Sequence, residues 1–360
     1  KFIFKFNNFM SLFFNFFFMI MTGLNFFENK NYFIDTKSTN SLYNLLQCKK
    51  REARNNPCNK SSIVSHYKIF LKRIGIYMKK GLILEGGAMR GMYTAGVLDI
   101  FMENDITVDG AIGVSAGAAF GCNLKSKQIG RTIRYNTKYC RDPRYVGLRS
   151  LIKTGDIYGA DFCYNQIPNR LDIFDVETYQ KNPMDFYVVT TDIETGKPIY
   201  HLCPNGDATD IKWFRASASM PMVSNIVEID GFKMLDGGIS DSIPIHKFME
   251  MGYEKNVVIL TQHDGYRKKK NSMLPLIRLK LGKKYPNLVH DLEVRHIMYN
   301  KTLYDLKELE RKGLVYIIRP ENPVTIGRTE RDPEKLQALY DIGRKEGLKH
   351  IGNVKNFLGE

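Results

Sequence analysis

The chain has 360 residues, room for one large domain or two modest ones, and a formal charge of +15. The charge is uneven: residues 1–77 hold 12 Lys/Arg against 3 Asp/Glu, and the rest of the chain carries 41 against 35. The basic balance is therefore mostly a property of the leading segment and does not argue for nucleic acid as a partner. Six cysteines (Cys48, Cys58, Cys122, Cys140, Cys163 and Cys203) show no paired spacing, which speaks against a disulfide framework or a zinc site and for a reduced, cytoplasmic chain.

Residues 1–77 differ in composition from the rest of the chain. They hold 13 of the 22 phenylalanines together with many Asn, Lys and Ile, the residue types of A/T-rich codons, and they begin with Lys1. This composition is expected of upstream sequence read through by mistake, with a true start at Met78. The alternative is a signal or membrane anchor within residues 1–27. Lys1 and Lys5 precede an apolar run over 9–27 that is long enough to span a bilayer. Ser11, Asn15, Thr22 and Asn25 interrupt it, and no small-residue cleavage site comes after it.

From Met78 the pattern reads strand (81–85), glycine loop (Gly86-Gly87-Ala88-Met89-Arg90-Gly91) and helix (92–103). A second apolar strand then runs into Gly113-Val114-Ser115-Ala116-Gly117, and a small-residue helix (116–124) succeeds it. This is a βαβ start, which predicts an α/β domain with a mostly parallel sheet. Both glycine-containing loops are expected at the carboxyl ends of adjacent parallel strands, where open sheets of this class hold ligands. A polar helical region extends to about 182. Strand 185–191 comes next, with 197–202 as its pairing candidate, then a helix over 211–220 ending before Pro221. A short strand over 232–235 leads into Asp236-Gly237-Gly238, and 256–261 reads as a buried strand.

Beyond about 262 the pattern changes, dividing the chain into a catalytic region (78–262) and a mainly helical C-terminal extension (263–360). A basic stretch opens at Gly265, and 273–284 alternates Leu/Ile with Arg/Lys. The preferred reading of the latter is a solvated helix packed on the main domain; an anionic bilayer surface is its rival. Helical spacing over 288–312, an apolar strand candidate at 314–318 and a helix start at Asp332-Pro333-Glu334 complete the chain. No internal repeat is present.

Gly-x-Ser-x-Gly after a strand and before a helix puts a serine on a sharp turn, beside the free N–H groups of a helix start. Larger side chains at Gly113 and Gly117 would collide across that corner. Taken singly the motifs are weak. Ser115 alone reads as a small residue at a crowded turn, and Asp236 as turn chemistry. The glycine loop has a dinucleotide-binding rival, weakened because Ala88 replaces the middle glycine and Ser115 stands where an acid is wanted. A non-catalytic lipid- or nucleotide-binding module, and a Ser-His-Asp esterase or thioesterase, remain alternatives. The triad would draw on His246 or His263 among the histidines after Asp236. In α/β-hydrolases, however, the elbow comes after several strands, and here it comes after the second.

In combination the motifs resemble the patatin-like phospholipases over about 78–245, and the bacterial members with an added C-terminal region look most similar. Gly86 to Gly91 is similar to the family's glycine-rich oxyanion motif, with Ala88 in place of one usual glycine. Gly113 to Gly117 is similar to its nucleophile elbow. Asp236-Gly237-Gly238 is similar to the motif carrying its catalytic acid, and Ala216 to Pro221 to a further recurring segment. The resemblance implies a three-layer α/β/α fold and a serine acyl hydrolase of phospholipase A type. It also implies a Ser115–Asp236 dyad, oxyanion donors at Gly86, Gly87 and Ala88, no cofactor and no metal, and a lipid ester substrate met in the cytoplasm or at a membrane surface. Arg90 has two readings: it steers an anionic head group, or it braces the loop by a salt bridge.

Overall fold

A computed structural model describes residues 78–359; both readings of residues 1–77 lie outside them. Strand alternation creates the layers, because successive side chains of a strand point to opposite faces. In β1 (Lys79–Leu84) Leu82 and Leu84 enter one apolar cluster and Ile83 the other, all fully buried. β2 (Gly110–Val114) splits in the same way, with Ala111 on the first face and Ile112 and Val114 on the second. Helices Met92–Glu103 and Ala116–Lys125 cover the first face, and Ile245, Phe248, Tyr299, Leu303 and Leu306 cover the second. The result is three layers, α/β/α.

β1 pairs in parallel with β2 and with β7 (Tyr253–Ile259). β2 pairs in parallel with β3 (Asp185–Asp192), and β7 with β8 (Val315–Ile318). Beyond β3 the sheet turns antiparallel. β4 (Pro198–Leu202) lies on one edge of β3, while β6 (Phe232–Asp236) pairs with β3 and with β5 (Val227–Ile229). The hairpin β5–β6 turns at Asp230 and Gly231, with φ of 52° and 81°. Asp-Gly with both φ angles positive is the two-residue turn that matches strand twist.

One feature of β3 positions the site. Residues 185–189 pair with β2 and residues 190–192 with β6, while β4 covers 187–191. Since β4 overlaps both, β2 and β6 must share the opposite edge, end to end and running toward each other. Their carboxyl ends meet where Val189 and Thr190 adjoin. The parallel pairing expected of the βαβ start holds for β1 and β2 but does not extend to β6, whose approach to β2 is head to head.

Helix Ala208–Ser217 starts three residues before the expected 211, because the Asp207 carboxylate accepts the N–H groups of Thr209 and Asp210 at 3.0 and 3.1 Å. Residues 162–171 wind as a π-helix around Pro168, a device that propensity alone does not announce. The C-terminal third is built into the same layers. β8 extends the sheet beside β7, and helix Pro286–Arg311 packs on the second face. Helix Pro333–Leu358 starts where Asp332 caps Glu334 N–H at 3.1 Å, and it lies against Met92–Glu103. There the Tyr340 hydroxyl donates to Asp99 at 2.5 Å, and the Arg344 fork grips Glu103 at 2.8 and 2.9 Å. Residues 273–284 contain helix Leu274–Leu281, which buries Leu274 and Ile277 and leaves Leu276 and Leu279 exposed. Among the described residues no helix is long and apolar enough to cross a membrane.

Candidate functional site

β2 delivers Ser115 to the start of helix Ala116–Lys125, whose first turn is closed by the N–H groups of Ala118 and Ala119 on the Ser115 carbonyl, both at 3.0 Å. Ser115 has φ 56° and ψ −120°, a backbone state that L residues avoid and that costs on the order of 1–3 kcal/mol. The surroundings hold it there. Its N–H donates to Ser217 Oγ at 2.8 Å, and the Ser217 hydroxyl donates to the Val189 carbonyl at 2.6 Å. The corner has no room for side chains on its glycines: a Cβ on Gly117 would fall 2.2 Å from the Leu84 carbonyl oxygen, and one on Gly113 2.6 Å from the Ala118 nitrogen.

Asp236 arrives from the opposite direction at the end of β6 and is 1% exposed. Its N–H donates to the Ser219 carbonyl at 2.7 Å, and its carbonyl accepts from Thr191 Oγ1 at 2.9 Å. Oδ1 accepts from Gly238 N–H at 2.7 Å, which is the structural use of the turn after it; Gly237 packs on the Val189 carbonyl. Oδ2 is buried and takes no hydrogen bond of ordinary length among the described residues. Burial pushes this carboxyl above its ordinary pKa, against the opposing pull of Arg295, the Ser115 hydroxyl, the Gly238 N–H and Arg328.

The glycine loop lies against the elbow: a Cβ on Gly86 would stand 2.7 Å from Ser115 Cβ. Among the described residues no acceptor meets the N–H groups of Gly86, Gly87 or Ala88. Ala88 is held at φ 51°, the left-handed region where a glycine would be unstrained. The base of the loop is tied by Glu85, which is buried and fully engaged. Its Oε2 accepts from Thr261 N–H at 2.6 Å and Thr261 Oγ1 at 3.0 Å, and its Oε1 from the Tyr299 hydroxyl at 2.5 Å. Gly91 sits beside the Phe120 ring. Arg90 braces the loop by a hydrogen bond, its Nε donating to the Ile326 carbonyl at 3.3 Å, and it forms no salt bridge among the described residues.

Ser115 and Ala88 open on a cavity of about 890 Å3, which Arg90 does not line. Its lining combines apolar and aromatic side chains, among them Phe120, Tyr164, Ile167, Phe174 and Phe214, with the cations Arg131, Arg267, Lys268, Lys269, Lys270, Arg295 and Arg328. Of the two histidines weighed for a triad, His246 is exposed and bonded to Asp305 at 3.0 Å. His263 lines the cavity edge-on to Tyr266. Among the described residues no histidine is hydrogen-bonded to Ser115 or Asp236. A trio that spacing does not flag is His201, Cys203 and Asp210, whose ligand atoms lie within 4.8 Å of one another. The Asp210 Oδ2 already accepts from the N–H groups of Asn205 and Gly206 at 2.7 and 2.6 Å, and the His201 ring stacks on Trp213 at 3.8 Å, so hydrogen bonding and packing account for the trio.

Ser217 and Ser219 hold the two site residues. They belong to the recurring segment Ala216 to Pro221, but the sequence assigns them no such role. Glu85 had a signal, an acid closing an apolar strand. Arg295, Lys268 and Arg328 had none, since each sits in a pattern that reads as solvated surface.

Residues 82–249 match the family model described as patatin-like phospholipase, and residues 285–359 match one described as a domain of unknown function (DUF6363). The uncharacterized protein YjjU of Escherichia coli (strain K12) is 31% identical over 294 residues, covering 78% of this chain and 79% of that protein. Lysophospholipase nte1 of Aspergillus terreus (strain NIH 2624 / FGSC A1156) is 23% identical over 77% of this chain, and the match spans 18% of that protein. Among solved structures, VipD from Legionella pneumophila superposes with a TM-score of 0.40 at 13% identity, over 77% of this chain and 67% of that one.

Proposed function

The chain belongs to the patatin-like phospholipase family, and on that premise we propose that it hydrolyses lipid esters with Ser115 as nucleophile and Asp236 as base. A single observation carries the reading. A buried carboxylate oxygen, Asp236 Oδ2, which takes no hydrogen bond of ordinary length among the described residues, stands beside a strained elbow serine where two strands meet head to head on β3.

In this reading Asp236 Oδ2 takes the hydroxyl proton as Ser115 Oγ bonds to the ester carbonyl carbon. The carbonyl oxygen becomes an oxyanion that accepts from the N–H groups of Gly86, Gly87 and Ala88. Collapse breaks the carbon–oxygen bond, and the alcohol departs with the proton from Asp236. Water, deprotonated by Asp236, then releases the acid and restores Ser115. The apolar and aromatic part of the cavity lining suits an acyl chain. Burial helps Asp236 serve as a base, because a carboxylate of raised pKa is a stronger one.

The test is labelling by a serine-directed fluorophosphonate together with hydrolysis of a lipid ester. Ser115→Ala is expected to lose both with an unchanged melting curve. Asp236→Asn is expected to lose about a hundredfold in kcat/KM, the scale of a lost general base. An alanine variant that hydrolyses like wild type would refute the assignment, and a wild type that neither labels nor hydrolyses would mark a binding module.

A further inference from the structure

Most of the basic side chains that line the cavity come from the C-terminal third of the chain. Lys268, Arg295 and Arg328 line the space that Ser115 opens into. Arg295 stands on helix Pro286–Arg311. Lys268 is fastened to the same helix: its N–H donates to Asn300 Oδ1 at 2.8 Å, and its carbonyl accepts from Asn300 Nδ2 at 3.0 Å. Its ammonium lies 4.0 Å from the centre of the Tyr299 ring. Arg328 is fixed beside the glycine loop, its carbonyl accepting from the Tyr158 hydroxyl at 2.5 Å and from Met89 N–H at 3.4 Å. Gly238 locates Arg295: a Cβ there would lie 2.9 Å from Arg295 Nη2 and 3.0 Å from Asp236 Oδ1, so guanidinium and carboxylate flank one residue.

None of the three cations forms an ion pair among the described residues, and Arg295 Nε is buried without a partner. Glu85 and Asp236 are the acids that face them. Glu85 is fully occupied by Thr261 and Tyr299, and Asp236 gives Oδ1 to Gly238. Burial, and then the charge of Arg295, bring Lys268 down to about 7, and burial also lowers Arg295. Lys268 and Arg295 are half-buried and Arg328 is exposed, and three like charges lining one cavity repel one another unless an anion completes them. One carboxylate occupies one guanidinium fork. Three cations arriving from separate segments suit an anion with several acceptor oxygens and more than one charge.

We propose that Lys268, Arg295 and Arg328 form a subsite for the phosphate of a lipid ester, so that the C-terminal third selects anionic acyl esters for Ser115. The proposal rests on the hydrolase reading of Ser115. The apolar and aromatic part of the lining takes the acyl chain, and the three cations take the phosphate.

The test compares kcat/KM for a monoacyl glycerol 3-phosphate and for the monoacylglycerol of the same chain, in the full-length wild type and in Lys268→Gln and Arg328→Gln. These variants sit on separate segments, and each is checked by melting and fluorophosphonate labelling. The ratio of phosphorylated to neutral substrate is expected to fall about tenfold or more in each variant. In the wild type the ratio is expected to fall as pH rises through about 7, where Lys268 loses its proton. A ratio unchanged in both variants overturns the proposal.

Calorimetric titration with inorganic phosphate separates the sources of the anion. Saturable binding to wild type, weakened about tenfold in both variants, supports the subsite. Such binding with an unchanged substrate ratio means that free phosphate, not a head group, is the ligand, and overturns the proposal. If wild type neither labels nor hydrolyses either ester, the hydrolase reading has failed. The titration then decides the cationic site alone: binding lost in both variants upholds it, and no binding refutes it.

Discussion

Ser217→Ala tests how the elbow is held. Ser217 is fully buried, and its hydroxyl bridges the Ser115 N–H at 2.8 Å and the Val189 carbonyl at 2.6 Å. Alanine fits the space but leaves Ser115 N–H with no acceptor and takes a donor from Val189. Orphaning a buried polar group costs about 1–3 kcal/mol, so the loss is about 3 kcal/mol and the drop in Tm roughly 6–12 °C for a domain of this size. The same bond restrains Ser115 at φ 56°, and its removal frees the serine from its aligned position. Fluorophosphonate labelling is therefore expected to slow about tenfold or more, the scale of small misplacements at a reacting centre. Ser219→Ala is the internal contrast. Ser219 serves Asp236 through its carbonyl, which alanine keeps, and its hydroxyl only returns to the Arg215 carbonyl at 2.8 Å within its own helix turn. That variant is expected to lose only about 1 kcal/mol, the worth of one ordinary hydrogen bond, because the Arg215 carbonyl keeps the Ala218 N–H. Differential scanning calorimetry and labelling rates on the two proteins decide the matter. A Ser217→Ala protein that melts and labels like wild type, or a Ser219→Ala protein equally damaged, would show that the bridge does not hold the elbow.

Three further outcomes are expected. Ala88→Gly relieves a residue held at φ 51° and should raise stability by about 1 kcal/mol, read by chemical denaturation, while labelling persists because the N–H remains. Hydrolysis of a neutral ester should rise with pH as Asp236 loses its proton, with an acid limb centred above the ordinary 3.8 because burial raises this carboxyl; Asp236→Asn should abolish the limb. His246→Gln and His263→Gln should each keep most activity in the same assay, since His246 is bonded to Asp305 at the surface and His263 to neither Ser115 nor Asp236; a dead variant of either with a native melting curve would overturn the dyad.

The parts legible from residues alone are those decided by neighbours in the chain. An apolar run into Gly-x-Ser-x-Gly specifies strand, turn and helix, because the turn admits only small flanks, and the elbow stands at the predicted place. Asp332-Pro333-Glu334 opens a helix because cap, fixed φ and first-turn charge act within four residues. The hairpin at Asp230-Gly231 had the same kind of local signal, although its strand β5 was not anticipated. The meeting of Ser115 with Asp236 is different. It depends on β2 and β6 sharing one edge of β3 in opposite directions, and strand direction across roughly 120 residues of chain is a property of the assembled sheet. The inward turn of Arg295 is likewise unreadable in a helix whose neighbours are Glu, Val and His, since packing on Tyr299 and the second face decides which side of that helix is buried. Local sterics and capping act over a few residues and are written in them. The partner of a carboxylate or a guanidinium is chosen by register and packing, which no short stretch contains.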